Sequence, residues 1–182
     1  MVFYIERWKA NEKSEEKALS DLQAVREVEI KRLNECKQTR MSRSGLTNFK
    51  CVVDAWLQIV ECRHMLKWTY AYGYYLTPAS SDDDQEADIV RKKQKLFEFL
   101  QGEAEISLER LHHCVEQELQ DHIESALKSN ADSLTGKKAL RDFDHFCSRL
   151  EKLTKMTGQY FENLIQGFEN NLSEVNAPAG CA

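Results

Sequence analysis

The stretch AWLQIVECRHMLKWTYAYGYYL, at residues 55–76, decides the fold. Trp56 and Val60 continue an apolar stripe, and beyond Ile59 apolar side chains occur on every side of the helix that this spacing predicts. A helix that is apolar all round is usually enclosed by other elements, so we expect this one at the centre of the molecule. Ala71 and Gly73 are small residues among aromatic ones, and they predict the close approach of a neighbouring helix.

On either side of that stretch, amphipathic patterns predict three further helices and no strand. The four helices cover about residues 3–40, 46–76, 87–128 and 138–172, and the intervening stretches at 39–47, 79–88 and 129–136 are predicted loops. Pro78 ends the central helix because it cannot continue one. Long helices joined by shorter loops predict an all-α fold, an antiparallel bundle of four long helices.

The length of 182 residues is typical of one domain, which we place at residues 1–175, with a disordered tail at residues 176–182. Hydrophobic residues make up 42% of the chain and charged residues 30%, a balance typical of a folded chain. The net charge of −5 argues against nonspecific binding to nucleic acids or membrane surfaces, which favour a basic face. We find no membrane-spanning stretch and no secretory signal pattern.

The six cysteines are scattered rather than paired in a short framework. We interpret them as free thiols in a reducing compartment, and therefore expect a cytoplasmic or nuclear protein. They are Cys36, Cys51, Cys62, Cys114, Cys147 and Cys181.

Metal binding is the sharpest chemical hypothesis that the residues raise. Carboxylate-bridged di-metal bundles use Glu-x-x-His pairs, and this chain has Glu61 with His64 and Glu109 with His112. At about 100° per residue, however, both glutamates lie on the outer side of their helices, away from the apolar stripe. The Cys62-Arg63-His64 and His112-His113-Cys114 strings also lack the spacing of a structural zinc site. We therefore predict no metal, no cofactor and no catalytic residue in this chain.

Four segments resemble a known family. The string at residues 55–76 is similar to the second helix of the C-terminal Ariadne domain in plant Ariadne-type ubiquitin ligases of the RBR class. Residues 3–8 and 17–22 resemble the start of that domain, FEFLQGEAEISLERLHHCVEQEL at residues 97–119 resembles its third helix, and TGQYFENLIQGFENNLSEV at residues 157–175 resembles its last. The resemblance covers nearly the whole chain in the family's order.

The resemblance implies a specific role. RBR ligases pass ubiquitin from a conjugating enzyme to a catalytic cysteine in their second RING. The Ariadne domain covers that cysteine, and docking of neddylated cullin-RING complexes releases it. The family's contacts to the second RING match Glu15, Glu16, Gln101 and Glu103 here, although the aromatic residue that animal members place at the first site is missing. In this family the zinc ligands and the catalytic cysteine belong to the RING and in-between-RING parts, which these 182 residues do not include, so we expect a conjugating enzyme to be reached only through those parts.

The leading hypothesis is therefore a regulatory domain that acts in ubiquitination by autoinhibiting the second RING and docking cullin-RING complexes. Two alternatives remain open at this point. One is a stand-alone helical adaptor or scaffold, and the other is a metal-binding helical-bundle enzyme.

Overall fold

The computed structural model describes residues 2–39, 44–76, 84–122 and 134–173. These residues form four long helices, which we label α1 (Val2–Thr39), α2 (Ser44–Tyr75), α3 (Asp84–His113) and α4 (Leu134–Glu169). A π-helical turn, Cys114–Glu118, continues α3 and is followed by helical residues up to 122. The prediction of an all-α fold is confirmed, and no strand occurs in the part of the chain that the structure describes.

Three helices begin earlier in the chain than the sequence pattern predicted. Helix α2 begins at Ser44, α3 at Asp84 and α4 at Leu134, each two to four residues before the predicted start near 46, 87 or 138. Small polar residues are favoured where helices begin, so stretches rich in Ser, Thr and Asp can belong to a first turn rather than to a loop. The predicted stop at Pro78, the predicted end of the third helix near residue 128 and the predicted tail at 176–182 lie outside the described residues.

Helix α2 contacts each of the other three helices, as the central position predicted for it requires. One series of its buried residues recurs every three or four positions, which places the series along one side of the helix. The series is Val52, Ala55, Ile59, Cys62 and Leu66, and Cys51, Trp56 and Tyr70 are buried beside it. The prediction that α2 is enclosed on every side is wrong, because Trp68 and Tyr75 are 55% and 83% exposed.

Contacts between consecutive helices show that α1 and α2 run in opposite directions, and that α3 and α4 do so too. Tyr4 near the start of α1 contacts Tyr74 near the end of α2, with ring centroids 6.2 Å apart. Between α3 and α4, Phe97 contacts Phe168, and the hydroxyls of Ser107 and Thr157 lie 2.9 Å apart. Thr157 is fully buried, so this hydrogen bond satisfies polar groups within an otherwise apolar interface.

Two charged side chains of the π-helical turn reach the helices α1 and α4. Glu116 pairs with Lys17 of α1, and Glu118 pairs with Arg149 of α4. A π turn inserts an extra residue into a helix and changes which side chains face each side. Here the inward side is kept by Cys114 and Val115, which are buried, while the two glutamates reach outward.

Helix α4 ends at Glu169, three residues before the predicted end at 172. The amide of Leu172 donates to the carbonyl of Gly167 at 2.8 Å, and the amide of Asn171 donates to the carbonyl of Phe168 at 2.9 Å. This pair of bonds is a Schellman motif, and Asn171 takes the left-handed conformation (φ 52°) that the motif requires. Leu172 also has a positive φ, and its side chain is buried, so apolar contact holds this end of the helix in place.

The close approach predicted at Gly73 is confirmed. A β-carbon added there would lie 2.8 Å from Cε1 of Phe97 and 3.1 Å from Cε1 of Tyr4. The glycine therefore lets aromatic rings from α1 and α3 meet on the backbone of α2.

We predict that the two helical glycines Gly73 and Gly102 respond oppositely to alanine. Gly102→Ala places its methyl group where no other atom lies within 4 Å, so it should stabilise the fold by about 0.5–1 kcal/mol through helix propensity. Gly73→Ala has the same propensity gain, but overpacking against Phe97 should cancel it and destabilise the fold by about 1–2 kcal/mol net. Urea unfolding of both variants measures the difference, and equal stabilisation would show that the rings give way freely.

Candidate protein-interaction surfaces

Glu15, predicted to be an interaction residue, links α1 to α2. One of its carboxylate oxygens lies 2.8 Å from Nδ1 of His64, and the other accepts from Nζ of Lys67 at 3.0 Å. The Glu15 side chain is 15% exposed. Burial favours its neutral form, but the hydrogen bonds from Lys67 and His64 and their charges outweigh it, so the pKa of Glu15 lies below its usual value. The residue is therefore ionised and already engaged within the bundle.

Gln101 also lies within the bundle. Its side chain is buried, and Nε2 donates to Oγ1 of Thr69 at 2.6 Å. The hydroxyl of Thr69 in turn donates to the backbone carbonyl of Leu66 at 2.7 Å. This chain of hydrogen bonds fixes α3 against α2.

Glu16 and Glu103 face outward. Glu16 is exposed and lies about 100° around α1 from Glu15. Glu103 is partly exposed and shares the outer side of α3 with Phe99 and Ile106, which lie one turn before and after it and are 62% and 50% exposed. We call Phe99, Glu103 and Ile106 the α3 face. The structure thus divides the four predicted residues into two that join helices and two that point toward solvent.

A buried cation that the sequence analysis missed joins three helices. Arg63 of α2 is 5% exposed, and its NH1 donates to Glu109 of α3 at 2.7 Å and reaches Asn11 of α1 at 3.4 Å. Its NH2 donates to Nδ1 of His112 at 3.0 Å. The signal in the sequence was the position of Arg63, a charged residue on the inward side of α2 next to His64.

His112 is held neutral in this network. Since an arginine can only donate, Nδ1 of His112 accepts, and in the neutral ring the proton lies on Nε2. Nε2 is 3.5 Å from the Glu116 carboxylate and has no hydrogen-bond partner among the described residues. Burial, and then the nearby charge of Arg63, lower the pKa of His112, and the weaker influence of Glu116 and Glu109 does not reverse this.

These contacts use up the residues of the metal hypothesis. His64 is bonded to Glu15 on α1, while Glu109 and His112 are both bonded to Arg63. Glu61 is exposed on α2, as the helical spacing predicted. Among the residues that the structure describes, no group of three or more His, Cys, Asp or Glu side chains is arranged to hold a metal ion.

Four cysteines lie inside the bundle and form no disulfide bond. They are Cys51, Cys62, Cys114 and Cys147. Burial raises the pKa of Cys62 to about 12, so its thiol stays protonated at neutral pH.

No described helix is long and apolar enough to cross a membrane.

An aromatic cleft lies between the start of α1 and the end of α2. It has a volume of about 290 Å³, and its walls are mostly aromatic. The walls include Tyr4, Trp8, Tyr70, Tyr74 and Tyr75. The hydroxyl of Tyr70 donates to Glu105 at 3.0 Å, and burial raises the pKa of this phenol. A concave apolar surface with no reactive group in it suits binding rather than catalysis.

Comparison with known proteins finds one matching domain family and several plant relatives. A family model described as the Ariadne domain matches residues 1–134. The probable E3 ubiquitin-protein ligase ARI7 of Arabidopsis thaliana is 40% identical over 179 residues, which are 98% of this chain and 27% of that protein. The probable E3 ubiquitin-protein ligases ARI8 and ARI10 of the same plant are 42% and 44% identical, covering 96% and 94% of this chain and 26% and 28% of each relative. No solved structure matches.

We predict that stability falls as the pH decreases below about 6.5, the value at which an unfolded histidine titrates. Because the pKa of His112 is lowered in the folded state, the unfolded chain binds more protons in the interval between the folded pKa and that value, so acid favours unfolding. Denaturant unfolding from about pH 8 to about pH 5 measures this slope. Glu15 and Glu116 also have a lowered pKa, so their protonation should destabilise the fold as well. This effect begins only at lower pH, below the usual pKa of about 4.5.

The matched variants for this prediction are neighbours. His112→Gln retains an acceptor for Arg63 and should flatten the slope between about pH 6.5 and pH 5, whereas His113→Gln at an exposed position should leave it intact. An unchanged slope in His112→Gln would assign the pH dependence to another group.

Proposed function

Because the chain belongs to the Ariadne domain family, we propose that it acts in protein ubiquitination as the regulatory and interaction domain of an RBR-type ligase. The observation that carries the proposal is the family match over residues 1–134, together with relatives named as ubiquitin-protein ligases. The chain spans about a quarter of the length of those relatives. It would therefore supply one part of a ligase, and that part acts by covering and docking rather than by bond chemistry.

The α3 face is the surface that we propose covers the second RING. Phe99 and Ile106 offer exposed apolar area on either side of the Glu103 carboxylate. Apolar side chains around one acceptor can exclude water from a contact while the carboxylate receives backbone or side-chain donors. This combination would also supply on α3 the aromatic contact that is missing beside Glu15 and Glu16.

The other predicted interaction residues contribute in two ways. Glu16 is exposed on α1 and would form a separate contact. Glu15 and Gln101 would act indirectly, because their bonds to Lys67 and Thr69 set the positions of α1 and α3 on α2. We propose that they keep the covering surface rigid rather than touch the second RING.

Release of the cover would require a second partner. We propose that neddylated cullin-RING complexes dock on the domain and that the ubiquitin-conjugating enzyme is reached through the RING parts of a full ligase. The catalytic cysteine and the zinc ions would belong to those parts. In this mechanism the chain uses no metal or cofactor of its own, and its location would be cytoplasmic or nuclear.

The proposal predicts inhibition in trans. Added to a RING–in-between-RING–RING fragment of a related ligase that lacks its own Ariadne domain, the chain should slow discharge of ubiquitin from the conjugating enzyme. Glu103→Lys and Phe99→Asp should each weaken this inhibition by about tenfold, since each removes one part of a central contact. Single-turnover thioester gels measure the rate, and circular dichroism checks that the variants fold.

The matched control is Glu162→Lys, a charge reversal at an exposed position on α4. It should inhibit as the parent chain does. An unchanged discharge rate with the parent chain would overturn the autoinhibitory role. Binding to a neddylated cullin complex but not to the second RING would instead favour the stand-alone adaptor.

A further inference from the structure

A second groove lies between α2 and α4, away from the α3 face. It has a volume of about 320 Å³ and is lined mainly by apolar side chains. Met65, Trp68 and Tyr72 of α2 form one wall, and Phe161, Ile165 and Phe168 of α4 form the other. Trp68 and Ile165 are 55% and 36% exposed, so apolar surface at the rim remains open to solvent. We call these six residues the α2–α4 groove.

The spacing of the walls fits a helix. On each helix the three groove residues named above recur in steps of three or four over seven positions, which corresponds to about 10 Å along each wall, and His64, Thr69 and Leu164 complete the lining. A helix that lies in a groove presents apolar anchors at i, i+3 or i+4, and i+7, which cover the same length. The groove is therefore long enough for two turns of an amphipathic helix.

The charge beside the groove is negative. Residues 158–172 contain no Lys or Arg, while Glu162 and Glu169 are exposed there on α4. On the α2 side Glu61 is exposed, whereas Arg63 and Lys67 are buried and bonded to other helices, and His64, which lines the groove, is bonded to Glu15. Glu162 and Glu169 directly follow lining residues of α4, and Glu61 lies one turn before Met65, so helical spacing places exposed carboxylates near both walls.

From this combination we propose that the α2–α4 groove binds a basic amphipathic helix of a partner protein. Its apolar side chains occupy the groove between Trp68 and Ile165, and its lysines or arginines lie beside Glu61, Glu162 and Glu169. A second copy of this chain is disfavoured as the occupant, because α4 of that copy would bring its own glutamates against these carboxylates. The groove shares no residue with the α3 face, so this site stands apart from the proposed cover of the second RING.

The test uses the full 182-residue chain and synthetic helical peptides. One fluorescent peptide carries leucine at i, i+4 and i+7 with lysine on the opposite side, and a second replaces every lysine with glutamate. Fluorescence anisotropy should detect binding of the Leu/Lys peptide, with an affinity that falls as salt is added. Binding of the Leu/Glu peptide should be at least about tenfold weaker, because it meets carboxylates on both walls.

Paired variants locate the site. Ile165→Arg should weaken binding of the Leu/Lys peptide at least about tenfold. Ile106→Arg, at an exposed isoleucine on α3, should keep the affinity within about twofold of the parent chain's. Glu162→Lys combined with Glu169→Lys should weaken binding by about threefold to tenfold, and Glu103→Lys should not.

Three results would overturn the proposal. They are equal binding of both peptides, equal loss in Ile165→Arg and Ile106→Arg, and a dimer of the parent chain in light scattering that Ile165→Arg dissociates. The last result would make the groove an interface between copies. None of them bears on inhibition in trans, which tests the α3 face separately.

Discussion

The bundle depends on the burial of apolar side chains of α2, which pack against three other helices. Val52, Ile59 and Leu66 are fully buried, and each sits on the side of α2 that the other helices cover. At about 25 cal/mol for each Å² of apolar surface removed from water, this burial is the main favourable contribution to folding. Helices α1, α3 and α4 therefore each pack against α2, and α3 and α4 also pack against each other.

Polar contacts then decide how the helices are set against each other. Apolar packing alone would tolerate small shifts along the helix axes, but Arg63 has buried partners on both α1 and α3. A shift that separated Arg63 from its partners would leave a buried charge unpaired, at a cost of roughly 3–5 kcal/mol. Glu15 with Lys67 and Gln101 with Thr69 add similar restraints. The interior therefore allows few alternative registers of the helices.

The same arrangement separates the surfaces that remain open. The α3 face points outward on α3, the aromatic cleft lies at the end where α1 starts, and the α2–α4 groove lies between two other helices. Each surface combines exposed apolar side chains with a different polar setting. The three surfaces share no residue, so substitutions in one leave the side chains of the others in place.

The helices, the central place of α2, the close approach at Gly73 and the family could all be predicted from the amino-acid sequence, because these follow from local spacing and from strings of residues. The outward position of Glu61 also followed from helical spacing. The packing of the helices, in contrast, places Glu15 and Gln101 inside the bundle and Glu16 and Glu103 toward solvent, and it makes Arg63 a buried cation with partners on α1 and α3. Such roles depend on which side chain of another helix lies opposite, at separations of 32 to 52 residues along the chain, and no local pattern encodes that pairing. The exposure of Trp68 and Tyr75 has the same origin, because an apolar residue is buried only where a neighbouring helix extends far enough to cover it.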